Sequence, residues 1–182
     1  MPTNREVLDI TIALERESMA IYARFARIFA AAPRLHEFWF GMARDEARHV
    51  GALHLVATVL ELEGQLDRPS PVAMRDATLR HVRELMASCE RDDDAQISIE
   101  RALKIALDIE ETELEDLVSD LLKALQQRDE YESCMRMLVH DLGELSYMIE
   151  QHCQDAAMLQ RCDALVNRHA ENLCAKPAAH SG

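Results

Sequence analysis

Glu46 and His49 are the residues whose types and spacing first suggest metal chemistry. A carboxylate and an imidazole three residues apart lie about one turn apart on one helix face and can reach the same point. That face continues through Met42, Leu53 and Val56, which predicts that it faces the core. A carboxylate within an apolar stripe is costly unless it is paired, protonated or ligated. By itself, however, the spacing also fits a partly exposed Glu beside a structural His.

Three further helical segments each contain an acid within an apolar stripe. Glu17 lies in the first segment, Glu110 in the third with Glu113 one turn further on, and Asp141 in the fourth with Glu144 a turn beyond. No Arg or Lys stands at the same level of these stripes, so converging acids would repel one another or shift their pKa values upward. Divalent cations resolve this conflict, and hydrogen-bonded acid pairs in a plain bundle are the alternative. The predicted metal ligands are Glu17, Glu46, His49, Glu110, Glu113, Asp141 and Glu144.

An internal repeat supports this convergence. The segment 12–17 is echoed by 105–110 at a spacing of 93 residues, which pairs Glu17 with Glu110. The second and fourth segments match at a spacing of 95 residues, which pairs Glu46 with Asp141. The pattern predicts two helical hairpins of similar design, packed antiparallel with their acids facing one another.

The elements that position these residues are all predicted to be helices. The chain has 182 residues with five Gly and five Pro, and Leu, Ala, Glu and Arg dominate, which is helix-forming composition. We predict one all-α domain, 1–182, consisting of two hairpins, a long crossover with a short helix, and a C-terminal helix. The predicted helices are 3–31, 35–63, 71–89, 95–127, 130–152 and 155–173. Tyr22, five residues past Glu17, is predicted to have only a structural role.

Charge and cysteine content narrow the functional classes. The net charge of −13 argues against binding to nucleic acid or to an anionic membrane surface. Five widely spaced cysteines without a Cys-x-x-Cys pair exclude a disulfide framework and a rubredoxin-type iron site. Neither a secretory signal nor a transmembrane run is recognisable, so we predict a cytoplasmic protein. Long helices with excess apolar residues predict a homodimer.

At these residues the chain resembles the rubrerythrin branch of the ferritin-like proteins. The resemblance covers roughly residues 7–152 and implies a four-helix bundle around a di-iron site. Glu17, Glu46, His49 and Glu110 fit the family pattern, and Glu113 fits the second acid that rubrerythrins often have on the third helix. The resemblance implies two iron ions and reduction of hydrogen peroxide or dioxygen. Because no rubredoxin domain is recognisable, a separate protein would donate the electrons.

The fourth helix departs from the family pattern. Where rubrerythrins have Glu-x-x-His, this chain has Asp141 followed by Glu144. Asp is one methylene shorter than Glu, and a carboxylate in place of an imidazole makes the site harder and richer in oxygen. Zinc, manganese or a single iron ion are therefore alternatives to two iron ions. Iron storage or metal handling, or a scaffold with a degenerate metal site, are alternatives to an enzyme.

Overall fold

Every regular element in the described part of the chain is a helix. The computed structural model describes residues 1–72, 75–112, 117–118, 121 and 128–174. Its helices are α1 Asn4–Ile28, α2 Pro33–Leu62, α3 Asp76–Glu90, α4 Ile99–Glu110, α5 Arg128–His152 and α6 Ala156–Cys174, with a short 3-10 turn at Asp94–Gln96. The predicted all-α class is confirmed. None of the helices in these ranges combines the length and apolarity that crossing a bilayer requires.

The hairpin of α1 and α2 has well-defined ends. Thr3 and Glu6 form a capping box, in which the backbone N–H of Thr3 donates to the Glu6 carboxylate at 2.7 Å. Pro33 occupies the first turn of α2, where its missing N–H costs no helical hydrogen bond. After α2 ends, Gly64 adopts a φ of 66°, in the left-handed region that glycine enters without steric cost. These local signals set the ends of α1 and α2, which contact each other along their length.

Replacing Thr3 by Ala is expected to lower the free energy of unfolding by about 1 kcal/mol, because it removes the side-chain half of the capping box. Urea unfolding followed by circular dichroism measures this change. Thr58→Ala is the matched control, since Thr58 is exposed and its hydroxyl bonds only to the His54 carbonyl of its own helix. An equal loss in both variants would contradict a specific role for the cap.

The central part of the chain differs from the predicted helices. The crossover helix begins at Asp76, because the Ser70 hydroxyl accepts from the N–H of Val72 in a turn and does not start a helix at Pro71. The predicted helix 95–127 is wrong at its start, because the Ser98 hydroxyl caps α4 and delays it to Ile99. It also ends early, at Glu110, and residues 113–116, 119–120 and 122–127 lie outside the described part.

The core joins the two halves of the chain. Trp39 of α2 is fully buried and packs edge-on against Phe25 and Phe38, with ring centroids 4.9 and 4.7 Å away. In the second half, α5 packs against both α4 and α6. Arg161 links α6 to the end of α4, because it forms ion pairs with Asp108 of α4, at 2.8 Å, and with Glu111, which follows α4 directly. The buried acids lie within this helical packing.

Candidate metal centre

Glu15, Glu46 and His49 form a compact group of possible metal ligands between α1 and α2. Their residues are 0%, 4% and 4% exposed. The Nδ1 atom of His49 lies 3.2 Å from a carboxylate oxygen of Glu15 and 3.2 Å from one of Glu46. One donor atom from each residue lies within 4.8 Å of the other two. This buried group could hold a metal ion.

The helical period explains why these three side chains meet. Glu46 and His49 share the face of α2 that also carries the buried Met42 and Leu53. On α1, Glu15 lies between Thr11 and Ser18, which stand one turn away on either side and are both fully buried. Because α1 and α2 pair as a hairpin, these two inward faces are brought together.

The electrostatics of the group favour a bound cation. Burial raises the pKa of Glu46 well above its ordinary value, and the neighbouring Glu15 carboxylate raises it further, while the hydrogen bond to His49 opposes the shift. A charged Glu46 carboxylate is therefore costly in the interior, and Glu46 retains its proton to a higher pH than an exposed glutamate does. A divalent cation would replace that proton.

Glu110 of α4 is a third buried acid of this region. It is 4% exposed, and the Tyr22 hydroxyl donates to its Oε1 atom at 2.7 Å. Burial raises the pKa of Glu110 to about 8, and Glu46 adds to the shift while Tyr22 opposes it. Glu110 therefore lies within electrostatic range of Glu46, and Asp141 also raises the pKa of Glu110. Tyr22, which the sequence analysis assigned to a structural role, therefore contacts a candidate ligand directly.

The two predicted acidic ligands of α5, Asp141 and Glu144, lie closer to the protein surface than Glu46 and Glu110 do. The side chain of Asp141 is 15% exposed and its carboxylate lies 3.0 Å from Nδ1 of His140. Glu144 is exposed, so the prediction that it reaches the interior is wrong. The inward face of α5 is formed by Leu138, Leu142 and Leu145, and Glu144 points away from that face. Glu113 lies outside the described residues.

Asp141 and Glu144 line a cavity of about 350 Å³ between α2 and α5, together with Asp45. Asp45 is 6% exposed and pairs with Arg48. Burial raises the pKa of Asp141 to about 6, while His140 opposes the shift and the Asp45 carboxylate beside it adds to it. Asp45, Asp141 and Glu144 thus form a second set of acids, none of which is a member of the three-residue group.

The prediction that Glu17 is the buried acid of the first helix is wrong. Glu17 is exposed, whereas Glu15, two residues earlier and about 200° away around the helix, is fully buried. Ile10 and Ile28 lie on the same side of α1 as Glu17, and both are only half-buried. The buried face of α1 that carries Glu15 also carries three other polar side chains, those of Thr11, Ser18 and Tyr22. This row of polar residues in the sequence could have identified Glu15 as the buried acid.

The centre therefore consists of a carboxylate from α1 and a carboxylate and an imidazole from α2, and Glu110 of α4 interacts with them electrostatically. These are oxygen and nitrogen donors of the kind that bind iron, manganese or zinc. The donors lie in the interior, where their interaction with a cation is weakly screened by solvent. No family model, curated protein or solved structure matches the chain.

Proposed function

We propose that this protein is a ferritin-like helical bundle that binds a divalent metal ion through Glu15, Glu46 and His49. The observation that carries the proposal is the meeting of three donor atoms within 4.8 Å of one another in the interior. Buried carboxylates without a compensating cation are destabilising, and the raised pKa values of Glu46 and Glu110 express that cost. A bound ion compensates for it.

The donor set indicates the class of metal. Imidazole suits iron, zinc and copper, whereas carboxylates suit harder ions such as manganese and magnesium, so a mixed set favours iron, manganese or zinc. We propose iron, because the pattern of Glu46, His49 and Glu110 resembles that of rubrerythrins. Bound iron would supply one-electron redox chemistry, and the protein side chains would hold it away from solvent.

The proposal is tested by metal analysis of purified protein. Apoprotein is incubated with ferrous iron without oxygen, or with zinc, then desalted, and the metal is measured per chain. We expect at least one ion per chain in the wild type and loss of that ion in His49→Ala. The control is Glu17→Gln, which changes an exposed acid of α1 and is expected to leave the metal content unchanged. Absence of metal in the wild type, or equal binding in His49→Ala, would overturn the proposal.

Reduction of hydrogen peroxide or dioxygen, assembly as a homodimer and the need for a separate electron-donor protein are further proposals from the resemblance to rubrerythrins. Reduction of hydrogen peroxide to two water molecules consumes two electrons and two protons, and the donor protein would have to supply both electrons. Storage or handling of the metal itself needs only the buried ligand group. The resemblance to rubrerythrins implies that reduction of hydrogen peroxide or dioxygen uses two iron ions, so the number of ions at the centre bears on the choice between these functions.

A further inference from the structure

We infer that the centre holds one metal ion per chain, because Leu142 and Leu145 occupy the positions where a second ion would need its ligands. This inference rests on the proposed function and refines it. It depends on how α5 corresponds to α2, since the two helices would provide equivalent halves of a dinuclear site. The burial pattern of the two helices determines that correspondence.

A shift of 96 residues superposes the burial pattern of α2 on that of α5. It matches the buried Trp39, Met42 and Leu53 with the buried Met135, Leu138 and Ile149. It also matches the exposed Phe40, Ala47 and Arg48 with the exposed Arg136, Gly143 and Glu144. The shift of 95 residues expected from the sequence is wrong for this helix, because it would place the buried His49 on the exposed Glu144.

At the shift of 96 residues, the positions of α5 that correspond to the ligands of α2 carry apolar side chains. Glu46 corresponds to Leu142 and His49 corresponds to Leu145, and both leucines are fully buried. Neither leucine carries a donor atom, so the described part of α5 provides no equivalent of the Glu46 and His49 pair.

The placement of equivalent residues agrees with this register. Asp45 corresponds to Asp141 under the shift of 96 residues, and both residues line the cavity between α2 and α5. Under the shift of 95 residues, Asp45 would instead correspond to the exposed His140.

The first helices of the two halves are also unequal. A shift of 95 residues matches Glu15 of α1 with Glu110 of α4, and both are buried. Glu15 contacts His49, whereas Glu110 accepts a hydrogen bond from Tyr22. Among the described residues, the first half thus brings Glu15, Glu46 and His49 together, whereas the second half keeps Glu110 at the position of Glu15 but has no equivalent of the Glu46 and His49 pair.

The inference is tested by counting ions in three proteins: the wild type and two double variants. Asp141→Glu with Glu144→His completes the family motif at the register expected from sequence, on the outer side of α5. Leu142→Glu with Leu145→His places the same two residue types at the positions that correspond to Glu46 and His49. Each protein is loaded with ferrous iron without oxygen or with zinc, desalted and analysed for metal per chain.

We expect one ion per chain in the wild type, one in Asp141→Glu with Glu144→His, and two in Leu142→Glu with Leu145→His. Two ions in either of the first two proteins, or only one in a folded Leu142→Glu with Leu145→His protein, would overturn the inference. If the leucine variant does not fold, as judged by circular dichroism, the first two proteins still decide the question. Absence of metal from the wild type would refute the proposed function instead.

Discussion

Glu46→Gln is expected to change the stability of the protein in opposite directions without and with metal. Glutamine has nearly the same shape as glutamate but does not ionise, so in the metal-free protein it removes the cost of keeping Glu46 protonated in the interior at neutral pH. With a chelator present, we expect the free energy of unfolding to rise by roughly 1 kcal/mol or more, since one pKa unit corresponds to about 1.4 kcal/mol.

With saturating zinc or ferrous iron, the same variant is expected to be the less stable protein. A ligand that binds only the native state at about a hundred times its Kd stabilises that state by about 2.7 kcal/mol. Loss of the Glu46 carboxylate weakens binding and removes most of this gain. Thermal unfolding with chelator and with metal measures both effects. Glu17→Gln is the control, and a Glu46→Gln variant that responds to metal as the wild type does would contradict the assignment of Glu46 as a ligand.

Glu110→Gln is expected to flatten the dependence of stability on pH in the metal-free protein. The pKa of Glu110 is about 8 in the folded chain and close to its ordinary value of 4.5 when the chain unfolds. The folded state therefore holds its proton more tightly, and the stability that this provides is fully present below about pH 4.5. It is lost as the pH rises through 8, when a buried charge forms.

The size of this loss is a few kcal/mol, since one pKa unit corresponds to about 1.4 kcal/mol. Urea unfolding with a chelator at several pH values between about 6 and 9 measures it. We expect the wild type to lose stability across this range more steeply than Glu110→Gln, and Glu144→Gln to behave as the wild type because Glu144 is exposed. Identical slopes in the wild type and in Glu110→Gln would contradict the protonated, buried state of Glu110.

The sequence by itself determined the helical class and most of the helix ends. Capping at Thr3, the proline at position 33 and the glycine at position 64 act within one turn of the backbone, so their effects can be predicted without knowledge of neighbouring helices. The spacing of Glu46 and His49 is similarly local, and the structure places both side chains in the interior, 3.2 Å apart.

Only the tertiary structure decided which of several acids faces the core. A long amphipathic helix has an apolar stripe of more than 100°, so periodicity alone leaves its inward direction uncertain by about one residue, or 100°. On α5 that uncertainty moves Asp141 by one residue from the position equivalent to Glu46. On α1 it leaves both Glu15 and Glu17 possible, because the two acids lie on opposite sides of the inward face, and only the packing shows that Glu15 is the buried one. The packing of α1 against α2, and of α5 against its neighbours, removes the uncertainty because each helix turns the residues that fit its partner inward.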